Sequence, residues 1–245
     1  MNVLEVQGLT KRYPAFTLDG VSFAVPEGAV MGFIGRNGAG KSTTLKSILG
    51  MVHPDGGAVR VFGMDYGENE RAIRRELGVV LGGIDFYPKK KIRVITDVTR
   101  RFYDNWDQGK YDHYAELFAI DPDKRVDQLS SGMKVKYMIA LALSHNARLL
   151  LLDEPTSGLD PVSRDELTEL LGRIVADGTR SVLFSTHITS DLEKCATHIA
   201  FIKDGVMQYS GAIGDFRVQY RDMGDTLEDI IVKVERRPLD ESAII

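Results

Sequence analysis

One octapeptide, Gly35-Arg36-Asn37-Gly38-Ala39-Gly40-Lys41-Ser42, constrains this chain more than anything else in it. It follows the apolar run Ala29 to Ile34 and opens a helix-like stretch from Lys41 to Leu49 that stops at Gly50. Three glycines let the backbone curl until successive N–H groups face inward, and the start of a helix adds the positive end of its dipole. Strand, glycine loop and helix, in that order, form an arrangement for holding phosphate. Such a loop needs a buried strand behind it, and the remaining sequence has to supply the sheet.

It does so in two parts. Val3 to Val6 and Ser22 to Val25 read as short strands, with a turn at Pro26-Glu27-Gly28 before the apolar run. From Phe86 to Ala142 the character changes, and Val94 to Trp106, Tyr111 to Ala119 and Gly132 to Leu143 read as helices, with Asp121-Pro122 as a break. Strand signals return at Leu149 to Leu152, Ser181 to Phe184 and Ile199 to Ile202, with helices such as Ser163 to Ala176 between them. Alternation of that kind predicts a mostly parallel sheet covered on both faces. Asp204-Gly205 is a hairpin turn signal, and a helix with a charged tail is expected from Asp225. The expected division is an α/β core with a β-region over 1–85 and 146–224, a helical insert over 86–145, and a C-terminal helix and tail over 225–245.

Composition removes some function classes. A net charge of -4 lacks the basic excess of a general nucleic-acid binder, so no nucleic-acid partner is expected. The single cysteine, Cys195, cannot close an internal disulfide, which fits the cytosol. Met1 to Glu5 lacks a basic region followed by an apolar one, and no window reaches the roughly 18 apolar residues of a spanning helix. Neither a leader nor a membrane crossing is expected.

The octapeptide matches the Walker A pattern, and each part has a chemical task. Gly35, Asn37, Gly38, Ala39 and Gly40 present backbone around a triphosphate, Lys41 reaches its β- and γ-phosphates, the Ser42 hydroxyl ligates Mg²⁺, and Thr43 is a further phosphate donor. ATP and Mg²⁺ are the ligands expected. Four leucines, Leu149 to Leu152, lead into Asp153-Glu154, two acids at the end of a buried strand. Asp153 is assigned to Mg²⁺. Glu154, pointing the other way if the pleat persists, is assigned to polarising the attacking water, the alternative being a solvated acidic turn.

Further along, Leu129-Ser130-Ser131-Gly132-Met133 resembles the Leu-Ser-Gly-Gly-Gln signature of ATP-binding cassette transporter subunits. Ser157-Gly158-Leu159-Asp160 resembles their D-loop and His187 their switch histidine. Tyr13, after Thr10-Lys11-Arg12, resembles the aromatic that stacks on adenine, although a surface or core tyrosine explains it as well. The resemblance runs over residues 2–210 and implies a P-loop NTPase (RecA-like) core with an N-terminal antiparallel β-region and an inserted α-helical subdomain. It also implies a head-to-tail dimer with a second cassette, identical or different, each ATP lying between one subunit's Walker A loop and the other's Ser130 and Gly132. Separate transmembrane permease subunits would be driven from the cytoplasmic face of the membrane. The Ser-x-Gly-Met-Lys form of the signature, Tyr103 to Asp107, and Ala142 to Asn146 resemble a bacterial branch linked to multidrug, antibiotic or cell-envelope export.

The chain departs from that pattern at one functional position. Where the family carries a glutamine after a strand, Leu77 to Leu81 is followed by Gly82-Gly83, neither of which can ligate a metal. Slower hydrolysis, a contribution from Asp85, or pairing with a different cassette would each accommodate this. An ATP-binding module with little hydrolysis of its own, the regulatory half of a heterodimer, is the alternative function. Lys89-Lys90-Lys91 and Arg93 open the helical insert and read either as a contact to a membrane subunit or anionic lipid, or as a solvated charge run.

Overall fold

Strand β3 (Val30–Ile34) is buried along its whole length because it is apolar on both faces, and both faces are covered. The computed structural model, which describes residues 1–81 and 87–236, puts it near the middle of a six-stranded sheet. Before it, β1 (Asn2–Tyr13) and β2 (Phe16–Pro26) form an antiparallel hairpin; after it come α1 (Lys41–Ile48), β4 (Gly56–Val61), β5 (Met64–Asp65), α2 (Tyr66–Glu76) and β6 (Leu77–Leu81). The helical insert holds α3 (Ile92–Thr99), α4 (Gln108–Leu117) and α5 (Ser131–Ser144). The chain then returns through β7 (Leu149–Asp153), α6 (Pro161–Ile174), β8 (Ser181–Thr186), α7 (Thr189–Cys195), β9 (His198–Lys203), β10 (Val206–Ala212), α8 (Ile213–Gln219) and α9 (Leu227–Glu235).

The large sheet runs β10-β9-β3-β8-β7-β6, parallel except for β10, and the smaller antiparallel sheet runs β2-β1-β4-β5. Successive side chains on a strand point to opposite faces, so each buried strand of the large sheet feeds two cores. Met31, Phe33, Leu149, Leu151 and Leu183 join the core shared with the antiparallel sheet and α1. Val30, Ile34, Leu150, Leu152, Val182 and Phe184 join the core on the opposite face, under residues of α5 to α9. Burying one such side chain stabilises the fold by about 2–3 kcal/mol before the entropy of ordering the chain is counted. A third cluster, with Ile92, Ile95, Tyr111, Leu129, Tyr137 and Leu141, holds the helical insert together.

Several elements differ from the sequence reading. The two short N-terminal strands are parts of a long hairpin whose β-bulges interrupt the alternation that sequence pattern relies on. The helix read over Val94 to Trp106 stops at Thr99 and continues only as a 3₁₀ turn, Arg100–Phe102. Beyond it, Tyr103 stacks on His145 with ring centroids 3.8 Å apart and Asn105 Nδ2 donates to the His145 carbonyl at 2.6 Å. Asp107 then caps α4 by accepting from the Lys110 amide. The hairpin signal at Asp204-Gly205 is a two-residue turn between β9 and β10, both residues having positive φ (49° and 81°) as a type I′ turn requires.

Among the described residues, no helix is long and apolar enough to cross a membrane. Lys89, Lys91 and Arg93 spend their charges locally: Lys89 pairs with Asp127 at 2.9 Å, and Lys91 and Arg93 both pair with Asp123 at 2.9 Å. Of the readings offered for that cluster, the solvated charge run is the one these pairings favour. Gly82, Gly83 and Asp85 lie outside the described residues.

Candidate active site

The loop after β3 turns tightly because Gly38 (φ 85°) and Gly40 (φ 113°) occupy backbone conformations that side chains oppose. Gly40 caps α1, and its carbonyl accepts from both the amide and the hydroxyl of Thr44 at 2.9 Å, so the first turn is pinned at the loop. Ala39 faces away and is fastened from behind, its carbonyl accepting from the Gly205 amide at 3.0 Å.

Lys41, only 5% exposed, folds its ammonium back under this loop. Its Nζ donates to the carbonyls of Gly35 (2.7 Å) and Arg36 (3.3 Å) and lies 3.1 Å from Glu154 Oε1. Glu154 Oε2 in turn lies 2.8 Å from His187 Nδ1. A cation, a carboxylate and an imidazole thus form a continuous chain across three loops.

The acidic pair is positioned by β8, which lies between β3 and β7 so that the strand bearing Asp153 is not the neighbour of the strand bearing the glycine loop. The two loops meet because parallel registry brings Ile34 level with Thr186 and Asp153 level with Ser185. Asp153 Oδ1 accepts from Ser185 Oγ at 2.6 Å and from Ser42 Oγ at 3.2 Å, while Ser185 Oγ accepts from the Glu154 amide at 2.9 Å. The pleat does not persist to Glu154: β7 ends at Asp153 and Glu154 has φ 50°, so a left-handed turn, rather than strand alternation, sets its direction. Ser185 is a site residue that the sequence reading missed; its only mark was a place two residues before His187.

A cleft of about 600 Å³ opens over these groups, lined by Asn37, Gly38, Gly40, Lys41, Ser42, Thr43, Glu154 and His187, with Phe16 and Arg36 at its side. Backbone donors, one buried ammonium and a helix N-terminus at one end make it a seat for polyphosphate. Tyr13 does not line it. The ring stands at the end of β1, 42% exposed, with the Lys11 ammonium 5.9 Å from its centroid, while Phe16 from the next strand reaches the cleft.

Ser130, Gly132 and Asp160 also lie outside the cleft lining. Ser130 caps α5, its hydroxyl accepting from the Met133 amide at 3.2 Å. Asp160 caps α6, accepting from the Val162 and Ser163 amides at 3.1 Å and from Ser163 Oγ at 2.6 Å. The Ser163 hydroxyl and amide hold its carboxyl below the ordinary carboxylate range. A methyl group at Gly132 would stand 3.5 Å from Ser163 Cβ, so the two helix starts are packed together as one patch. The remaining histidines stay apart from both groups; His145 is buried in the helical insert's joint with the core, and burial pushes its pKa down to about 4.

The parallel sheet, with its phosphate-type loop at the carboxyl end of β3 and two acids at the carboxyl end of β7, defines a nucleoside-triphosphate-binding α/β protein of the P-loop class. Residues 18–157 match the family model described as ABC transporter. The chain is 32% identical over 206 residues to the bacitracin transport ATP-binding protein BcrA of Bacillus licheniformis, covering 83% of this chain and 67% of that one. It is 34% identical over 220 residues to the Nod factor export ATP-binding protein I of Burkholderia pseudomallei (strain 1710b), covering 85% and 70%. A solved ATP-binding subunit of an ABC transporter superposes with a TM-score of 0.85 at 27% identity, over 96% of this chain and 100% of the other. The chain belongs to the ABC transporter family, as one of its ATP-binding, ATP-hydrolysing subunits.

Proposed function

We propose that the chain powers export from the cytoplasmic face of a membrane by hydrolysing ATP at composite sites shared by two cassettes. The observation that carries this reading is the Lys41–Glu154–His187 chain, with contacts of 3.1 and 2.8 Å, at the mouth of the phosphate loop. Export of Nod factor, in the name of one relative, supports the direction of transport.

When ATP enters, Lys41 exchanges the Gly35 and Arg36 carbonyls and Glu154 for the β- and γ-phosphates, which compete for the same ammonium. Glu154, relieved of that partner, accepts a proton from the water attacking the γ-phosphorus. The new P–O bond forms as the bridging oxygen departs with ADP. His187 keeps Glu154 and the γ-phosphate aligned. Ser42 and Asp153, their oxygens 3.2 Å apart, are hard donors of the kind Mg²⁺ takes in small number while keeping waters and phosphate oxygens. Held by those two residues, Mg²⁺ would supply positive charge against the triphosphate. Tyr13, paired with Phe16 across the first hairpin, is the residue assigned to stacking on the adenine.

Ser130, the N-cap of α5, and Gly132 in its first turn lie away from the chain's own cleft and offer a hydroxyl and helix-start amides to the γ-phosphate of a second cassette. Asp160, on the adjoining helix start, borders that contact. A head-to-tail dimer closed by ATP and opened by hydrolysis transmits the motion to the permease.

The test is steady-state ATP hydrolysis by the purified chain and by Glu154→Gln, with dimerisation followed by light scattering. Cooperative turnover by the native chain, with an inactive variant that accumulates as an ATP-bound dimer, supports the reading. Binding without hydrolysis or dimerisation by the native chain replaces it with the regulatory half of a heterodimer.

A further inference from the structure

Beneath the floor of the cleft sits a carboxylate that the chemistry above leaves unused. Asp191, in the first turn of α7, is 0% exposed. Its Oδ2 accepts from Thr156 Oγ1 at 2.6 Å and, at the limit of a hydrogen bond, from Thr186 Oγ1 at 3.5 Å. Oδ1 has no hydrogen-bond partner among the described residues. Both hydroxyl groups are themselves buried, and each belongs to a loop that bears a site residue.

Thr156 follows Glu154 by two residues, in a turn closed by the Ser157 amide donating to the Glu154 carbonyl at 3.1 Å. Thr186 ends β8, immediately before His187, and its Oγ1 accepts from the Ile188 amide at 3.0 Å, so it grips the His187 loop from both sides. A single oxygen of Asp191 therefore ties the two loops together below the 2.8 Å contact between Glu154 and His187 above. At 2.6 Å the bond from Thr156 is at the short end for a hydroxyl donor, so it fixes the separation of its two groups closely.

Stability does not account for this residue. A buried carboxylate with one oxygen unpaired costs free energy, and an apolar side chain of similar volume would commonly serve the fold better. We propose that Asp191 is a positioning residue for hydrolysis, holding Glu154 and His187 at their working separation through Thr156 and Thr186. This role rests on Glu154 and His187 being the pair that activates water.

The experiment measures kcat and KM for ATP, with Tm alongside, in Thr156→Val, Thr156→Ser, Asp191→Asn, His187→Ala, Glu154→Gln and the Thr156→Val/His187→Ala double variant. Thr156→Val is expected to lower kcat about tenfold or more with KM within about twofold, the mark of lost alignment rather than lost binding. Thr156→Ser, which keeps the hydroxyl, restores most of the rate, and Asp191→Asn, which keeps shape and a neutral acceptor, loses less than Thr156→Val. In the His187→Ala background Thr156→Val adds little, because the pair it aligns is already gone. Wild-type kcat in Thr156→Val, or a loss that adds in full to that of His187→Ala, overturns the inference. Wild-type turnover by Glu154→Gln instead removes the water-activating pair itself, so the two failures are told apart.

Discussion

Glu154 Oε2 and His187 Nδ1 lie 2.8 Å apart although 33 residues separate them in the chain. They meet because β7 and β8 are parallel neighbours in register, so their carboxyl ends present consecutive loops to one cleft. What each does to the other can be measured.

Replacing His187 with Ala leaves Glu154 paired with Lys41 alone. The expected outcome is a fall in kcat of about 100-fold, the usual scale for a group that orients an acid or base, with ATP affinity changed by less than about threefold. Steady-state kinetics and equilibrium titration with a fluorescent nucleotide check the two halves separately.

Gly40 tests the loop. A methyl group there would meet Leu18 Cδ1 at 2.9 Å and Phe16 Cζ at 3.0 Å, on a backbone with φ 113°. Gly40→Ala is expected to cost about 1–3 kcal/mol of strain and to weaken nucleotide binding about tenfold or more, read from thermal melts with and without ATP.

Composite sites make a prediction that no single-chain site shares. Lys41→Ala disables the phosphate loop and Gly132→Asp places a charge where a partner's γ-phosphate is expected, so each variant alone is inactive. Mixed in equal amounts they should regain hydrolysis, because half-disabled chains pair to build one intact site. Mixtures no more active than their components would require each cassette to work alone.

His145 sets an acid response. Burial lowers its folded pKa from 6.5 to about 4, so between those values the unfolded chain binds a proton that the folded chain refuses. Its contribution is full above pH 6.5 and is lost as pH falls, by about 3 kcal/mol at most once pH reaches 4. His145→Phe, which retains a ring to stack on Tyr103, should flatten that part of the pH dependence in urea melts between pH 7 and 4.5.

The hydroxyl groups of Ser185 and Thr186 show why part of the site was hidden in the sequence. The glycine loop, Asp153 and Glu154 could be read directly, since their spacing is local and their chemistry needs those residue types. Ser185 and Thr186 look like any strand end until β8 is placed between β3 and β7, where Ser185 joins Asp153 to the Glu154 amide and Thr186 faces Asp191. The same holds for the helical insert, where periodicity located three helices but the end of α3 was decided by Tyr103 and Asn105 turning toward His145.

The residues by themselves determined the α/β class, the phosphate loop, the acidic pair and the order of motifs, because each depends on alternation or spacing within a few residues. Tertiary structure alone decided the direction of Glu154, the meeting of Lys41 with it, the separation of Ser130, Gly132 and Asp160 from the cleft, and the buried tie at Asp191. Those are relations between segments far apart in the chain, and strand order and register in the sheet set them, neither of which any local run of amino acids encodes.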